Sequence, residues 1–156
     1  RLMTPSIDDR FFGYLKALME RGIKYRADWI IDDRDNIYGK MNYDRQFILP
    51  KEVPTAFFCN CDKAASLIIR KLEEAGYSVP GDVSVVGFDN FEYDQEADIG
   101  ITTYEINIGE MAKRAVHIML HKMQNALYSA GVFSIQGKII ERESVKKIGK
   151  SVPYAK

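Results

Sequence analysis

Histidine is almost missing from this chain: His117 and His121 are the only two, at helical i,i+4 spacing and without the glutamate arrangement a zinc protease needs. The only two cysteines, Cys59 and Cys61, lie too close together in extended chain to bridge comfortably, which fits a reducing compartment better than a disulfide scaffold. A Cys-x-Cys metal site would need further ligands, so no metal and no cofactor is expected. Charge of one sign is missing too. Lys+Arg 22 against Asp+Glu 22 leaves no basic surplus with which this segment would grip nucleic acid by its phosphates. No run approaches the roughly 18 apolar residues of a transmembrane helix, so no membrane partner is expected. There is no glycine-rich phosphate loop and no nucleophile elbow.

What is present is a core. With 46% hydrophobic residues over 156 positions, the chain has the length and apolar content of one ordinary domain. Its most informative stretch is Val83-Ser84-Val85-Val86-Gly87-Phe88-Asp89-Asn90. Three valines and a phenylalanine, apolar on both faces apart from one serine, suit a strand in the middle of a parallel sheet. Gly87 allows a turn or a close backbone approach. The strand ends on a carboxylate, and ligands of open α/β sheets sit outside the carboxyl ends of the strands. Asp89 is therefore a binding candidate; equally, it could only cap the following turn.

The same logic occurs upstream. Pro54-Thr55-Ala56-Phe57-Phe58-Cys59 reads as a second buried strand, followed by Asn60-Cys61-Asp62. A helix over 62–75 places Ala64, Ala65, Leu67, Ile68, Ile69 and Leu72 on one wide face, with Gly76 stopping it. This strand–helix–strand unit should be parallel and right-handed, so that Asp62 and Asp89 line one cleft.

The run from Pro54 to Asn90 resembles the effector-binding core of LacI/GalR-family transcription regulators. The residues that carry the resemblance are Pro54-Thr55-Ala56, Cys61-Asp62, Gly76 and Val79-Pro80-Gly81-Asp82-Val83-Ser84-Val85-Val86-Gly87-Phe88-Asp89. Thr102-Thr103, Glu110-Met111-Ala112, Ile140-Glu141-Arg142-Glu143-Ser144 and the Arg10-containing Asp9-Arg10-Phe11-Phe12-Gly13-Tyr14 extend it over nearly the whole chain. The resemblance implies an α/β fold of the periplasmic-binding-protein-like I type, a parallel sheet flanked by helices, present here in part. Residues 1–100 would form most of the C-terminal lobe, 101–132 would return to the N-terminal lobe, and 133–156 would supply a closing hairpin and tail. It implies a small-molecule effector, a sugar or sugar derivative, bound between lobes by Arg10, Cys61, Asp62 and Asp89. It further implies a cytoplasmic homodimer that meets DNA only through a helix-turn-helix domain absent from this chain, and no catalysis. The sequence departs from the family at Cys61, where asparagine is usual. A thiol is a poor hydrogen-bonding group, so contact with a ligand hydroxyl is weakened or shifted there. Asn60, pointing the other way along the strand, does not simply replace it.

Two alternatives share these residues. One is an extracellular sugar-binding protein of a transport system, and the other an α/β enzyme using Asp62 and Asp89 as acid and base or as metal ligands. The opening Arg1-Leu2-Met3-Thr4-Pro5 shows no signal-peptide pattern and reads as an internal start.

Elsewhere the pattern predicts a first helix from a Ser6 cap to about Arg21, with Phe11, Tyr14, Leu15, Leu18 and Met19 inward. Residues 28–31 read as a short strand with Trp29 in the core, and Met41 to Phe47 as a short helix. The acidic loop from Phe91 to Asp98 reads as solvated. A strand over 101–105 precedes a helix from Asn107 to about Asn125 with capping-box spacing to Glu110; the family resemblance implies that its apolar Met111 and Met119 lack their normal cover here. Residues 134–142 read as a hairpin broken at Gly137, and the tail from Lys146 as loose.

Overall fold

The computed structural model describes residues 5–32, 47–91 and 98–147. The expected helix at 41–47 (Phe47 apart), the loop residues 92–97 and the tail beyond 147 lie outside the described residues. In chain order the elements are helix α1 (Pro5–Glu20), a 3-10 turn (Ala27–Trp29), strand β1 (Ala56–Phe58) and helix α2 (Asp62–Glu74). Strands β2 (Ser84–Val86) and β3 (Thr103–Glu105), helix α3 (Ile108–Gln124) and strand β4 (Lys138–Ile140) follow.

Helix α2 organises the core. All six apolar residues of its expected face are buried, and Ala65 and Leu72 are fully enclosed. Each buried leucine or isoleucine there contributes about 1.5–3 kcal/mol of transfer free energy. Gly76 ends the helix because it alone takes φ +86 without strain. In that conformation Tyr77 N reaches Leu72 O at 2.9 Å and Gly76 N reaches Glu73 O at 3.0 Å, which satisfies the last carbonyls. The chain then returns through Val83 and Val85, both buried, to pair β2 with β1 in parallel, Phe57 opposite Val85.

The expected central position of β2 holds. Beyond its β1 side, parallel bridges join Val86 to Thr102 and Asp89 to Glu105, with Gly87 N donating to Thr102 O and Asp89 N to Tyr104 O. Strand β4 pairs with β3 antiparallel, Thr103 opposite Ile140, so the arrangement is parallel except at this last strand. No hairpin forms at residues 134–142; the strand there finds its partner in β3 rather than in its own neighbourhood. Ser144 locks the layer. Its hydroxyl donates to Val85 O at 2.6 Å and accepts from Thr102 N at 2.8 Å, while Val85 N donates to Ser144 O.

Three other expectations change. Strand β1 buries only one face: Phe57 points into the core, whereas Phe58 lies half-open with Tyr14 of α1 stacked parallel to it at 6.4 Å. Helix α1 starts at Pro5, suited to a first turn, and buries no residue completely; Met19, expected inward, is exposed. Residues 27–29 form the 3-10 turn instead of a strand. Arg26 folds over it, pairing with Asp28 and Glu52 and lying 4.3 Å above the Trp29 ring, whose N–H donates to Glu52 O. Trp29 is thus a half-buried surface brace and not a core residue. Helix α3 is capped as expected, Asn107 Oδ1 accepting from Glu110 N at 3.0 Å, and none of its residues is buried. Met111 and Met119 are 47% and 61% exposed, in keeping with an apolar face lacking cover.

Candidate ligand-binding site

The carboxyl end of β2 carries the chain into an unusual turn. Asp89 and Asn90 both have positive φ, 96 and 58, in a region that suits glycine. Asparagine tolerates φ near +58, but Asp89 lies outside the comfortable left-handed well, at a cost of about 1–3 kcal/mol. Such a conformation persists only where the surroundings hold it. Here Asp89 N is tied to Tyr104 O at 3.0 Å, and Phe91 N to Asp62 Oδ2 at 3.0 Å.

The turn presents the Asp89 carboxylate to Arg10. Arg10 projects from the second turn of α1, with Nη2 3.2 Å from Asp89 Oδ1 and Nη1 2.7 Å from Asn60 O. Its guanidinium carbon lies 3.9 Å above the Phe88 ring, which in turn stacks on Tyr104 at 5.2 Å. The cation is therefore oriented by a carboxylate, a carbonyl and an aromatic face together. Both charged side chains keep about a fifth of their surface open, 22% and 21%, so a ligand can reach them. The guanidinium has five donors and the carboxylate about four acceptor sites, more than these contacts use. Burial pushes the Asp89 carboxyl above the ordinary aspartate range; the Arg10 charge and hydrogen bond oppose this, and the Asp62 charge adds to it.

Asp62 sits differently from expectation. The residue preceding α2 is Cys61, extended at φ −156 and ψ 167, and Asp62 is the first helical residue. It is only 3% exposed. Its Oδ1 accepts from the Thr103 hydroxyl at 2.6 Å, Oδ2 accepts from Phe91 N, and its own N–H donates to Phe88 O at 3.0 Å. Gly87 is required opposite: a Cβ there would run into the Asp62 carboxylate. Asp62 thus fastens α2, the β2 exit and β3 together behind the turn, and does not line an open cleft beside Asp89. A paired acid and base at Asp62 and Asp89 lacks the access such chemistry needs. Cys61 is half-buried and makes no side-chain cap bond, while its neighbour Asn60 joins the site through its backbone carbonyl.

A second polar group flanks the turn. Arg142 Nη2 donates to Asn90 Oδ1 at 2.7 Å and Asn90 Nδ2 donates to Glu105 Oε1 at 2.9 Å. Lys138 Nζ pairs with Glu105 Oε2 at 2.9 Å, and these two contacts, Lys138 first, hold the Glu105 carboxyl below its usual range. An open cavity of about 690 Å³ lies alongside, lined by Glu105, Asn107, Gln136 and Lys138 among others. Sequence reading missed Phe88, Asn90, Thr103 and Arg142 as parts of the site. Arg142 and Phe88 stood inside quoted motifs, and an asparagine directly after a strand-ending acid is itself a signal for a left-handed turn. Among the described residues, no group of three or more His, Cys, Asp or Glu is placed to hold a metal ion, and no helix is long and apolar enough to cross a membrane.

Comparison with known proteins bears on the fold that carries these residues. A family model described as "Periplasmic binding protein-like domain" matches residues 3–145. The HTH-type transcriptional repressor PurR of Photobacterium profundum is 31% identical over 140 residues, which are 90% of this chain and 42% of that protein. The chain therefore spans less than half the length of this relative. Among solved structures, a LacI-type transcription regulator from Bifidobacterium animalis subsp. lactis matches with a TM-score of 0.77 at 28% identity, over 94% of this chain and 53% of that one. A LacI family transcriptional regulator from Enterococcus faecium with bound ribose matches with a TM-score of 0.54 at 26% identity, over 60% of this chain and 35% of its own.

Proposed function

Since the chain belongs to the periplasmic-binding-protein-like domain family in its LacI/GalR form, we propose that it is the effector-sensing part of a bacterial transcription regulator. The observation that carries this reading is the Arg10–Asp89 pair, fixed yet reachable at the carboxyl end of β2. A guanidinium and a carboxylate side by side offer donors and acceptors to adjacent hydroxyls, while Phe88 supplies an apolar flank. The ligand is a small polyhydroxylated metabolite of the sugar class, in line with the ribose bound by the Enterococcus faecium relative. Cys61, half-buried and directly after the Asn60 carbonyl that Arg10 bonds, favours a ligand that asks little hydrogen bonding of that position. Asp62 serves the ligand indirectly, by holding the turn that carries Asp89. Of the described residues, those up to 100 belong to one lobe, 101–132 lead to the other, and 138–146 return to the first, where Ser144 bonds Val85. Ligand binding would bias how lobes and subunits are set, and through them a DNA-binding domain outside this chain. The protein works in the cytoplasm and performs recognition without turnover.

The test is a thermal-shift panel of pentoses, hexoses, their phosphates and purine nucleosides, followed by alkylation of Cys61 with and without any hit. A hit that raises the melting temperature and slows Cys61 labelling supports the reading. Stabilisation that leaves Cys61 labelling unchanged places the ligand elsewhere and overturns it.

Binding should depend on pH with a defined sign. Asp89 accepts ligand hydroxyls as a carboxylate, and burial raises its pKa above the ordinary aspartate value. Its proton therefore returns at a higher pH than on a free aspartate. Affinity is expected to be flat near neutrality and to fall as the solution is acidified, before ordinary aspartates titrate. Calorimetric titrations across this range check it, and Asp89→Asn should flatten the profile.

Assembly is the other expectation. The open apolar face of α3 and the family relationship favour a homodimer. Sedimentation velocity should show self-association at micromolar concentration; a monomeric mass with cooperative unfolding would count against it.

A further inference from the structure

We infer that Arg142 and Glu105 are positioning residues for the ligand site: acting through Asn90, they hold the turn that aims Asp89 at Arg10. The inference rests on the reading of Arg10 and Asp89 as the ligand-binding pair. Two successive non-glycine residues with positive φ do not keep that shape unaided. The Asn90 side chain is gripped at both ends, its oxygen by Arg142 at 2.7 Å and its amide nitrogen by Glu105 at 2.9 Å. The side-chain amide gives an acceptor to the guanidinium and a donor to the carboxylate at once. Aspartate would face the Glu105 carboxylate, and the reversed amide would set its NH2 group against the Arg142 cation.

Both grips are themselves anchored. Arg142 Nη1 donates to Ile101 O at 2.8 Å, and the Arg142 backbone N and O both bond the Thr102 hydroxyl, at 2.9 and 3.0 Å. Glu105 is held by Lys138 and bridges directly to Asp89 in the parallel register. Glu105 ends β3 just before α3, and Lys138 begins β4. The acid of the ligand site is thereby tied to the segments through which the chain leaves and re-enters this layer. Movement of either segment would be felt first at Asn90 and then as a change in where Asp89 points.

The experiment measures hydrogen exchange of the Arg10 Nη2 protons by nitrogen-15 NMR on the full chain, without ligand, in wild type, Asp89→Ala, Asn90→Gly and Arg142→Lys. Glycine at 90 keeps positive φ inexpensive, so this variant loses the two amide bonds and not the turn's accessibility to the backbone. Asp89→Ala sets the fully released value. With melting temperatures alongside, Asn90→Gly and Arg142→Lys are expected to speed Nη2 exchange about tenfold, approaching the Asp89→Ala value, as for loss of one charge-assisted hydrogen bond. A purely structural role would lower the melting temperature and leave Arg10 exchange where it was. Unchanged exchange in Asn90→Gly, with Asp89→Ala clearly faster, overturns the inference even if Arg142→Lys fails to fold. Because no ligand is present, failure here is distinct from failure of the ligand site, which titration of Asp89→Ala judges separately.

Discussion

Asp62→Ala is expected to lower the unfolding free energy by about 3–5 kcal/mol, a large share of the roughly 5–15 kcal/mol of a domain of ordinary stability. The carboxylate accepts from the Thr103 hydroxyl and from Phe91 N, and is only 3% exposed. Removing it strands the fully buried Thr103 hydroxyl, at about 1–3 kcal/mol, takes the acceptor from the part-buried Phe91 N–H, and opens a void beside α2. Asp62→Asn retains an acceptor for Thr103 and should recover part of the loss. Gly87→Ala attacks the same contact from the other side, since its Cβ would meet the Asp62 carboxylate and main chain. Urea titration with an unchanged m-value is the measurement. A loss near 1 kcal/mol in Asp62→Ala, the ordinary cost of deleting a helix cap, would show that the buried contacts contribute little.

That contrast marks how far the residues alone reach. A period near 3.6 on α2 and a glycine at its end name the helix and its buried face, because the responsible contacts are local or repeat within one turn. The β-rich run Val83–Asn90 reveals the central strand and its terminal acid for the same reason. The role of Asp62 is invisible because its partner Thr103 is 41 residues away. An aspartate at a helix start looks like a cap whenever the other side of its carboxylate is unknown. Strand β4 is similar: its apolar stretch reads as half of a local hairpin, yet its hydrogen bonds go to β3. At residues 27–29 the β-leaning Trp29-Ile30-Ile31 run lost to a local electrostatic knot of Arg26 with Asp28 and Glu52. Arg10 and Asp89 became legible as a pair through family resemblance, since they are 79 positions apart and nothing local connects them. Asn90 and Arg142, 52 apart, had no such guide to their contact.

Arg10→Ala and Asp89→Ala are each expected to weaken ligand binding by about 2–5 kcal/mol, roughly 30- to several-thousand-fold in affinity. The magnitude follows from leaving one member of a partly desolvated charge pair facing the ligand without its counterpart. In Arg10→Ala the remaining carboxylate, already raised in pKa by burial, loses the cation that favours its charged form. In Asp89→Ala the guanidinium keeps Asn60 O and the Phe88 face and stays in place, but the carboxylate that would accept from the ligand is gone. Stability should change far less than in Asp62→Ala in either variant, because the pair lies outside the α2 core and keeps some access to water. Asp89→Ala retains the positive φ and so the strain, whereas Asp89→Gly should relieve it and stabilise the fold while still losing the ligand.

Calorimetric titration of the sugar-class hit from the thermal-shift panel into wild type, Arg10→Ala and Asp89→Ala, with melting temperatures of all three, tests the central claim most directly. The expected result is at least about a 30-fold loss of affinity in both variants with nearly unchanged melting temperatures. Near wild-type affinity in both would contradict the assignment of the ligand to the Arg10–Asp89 pair.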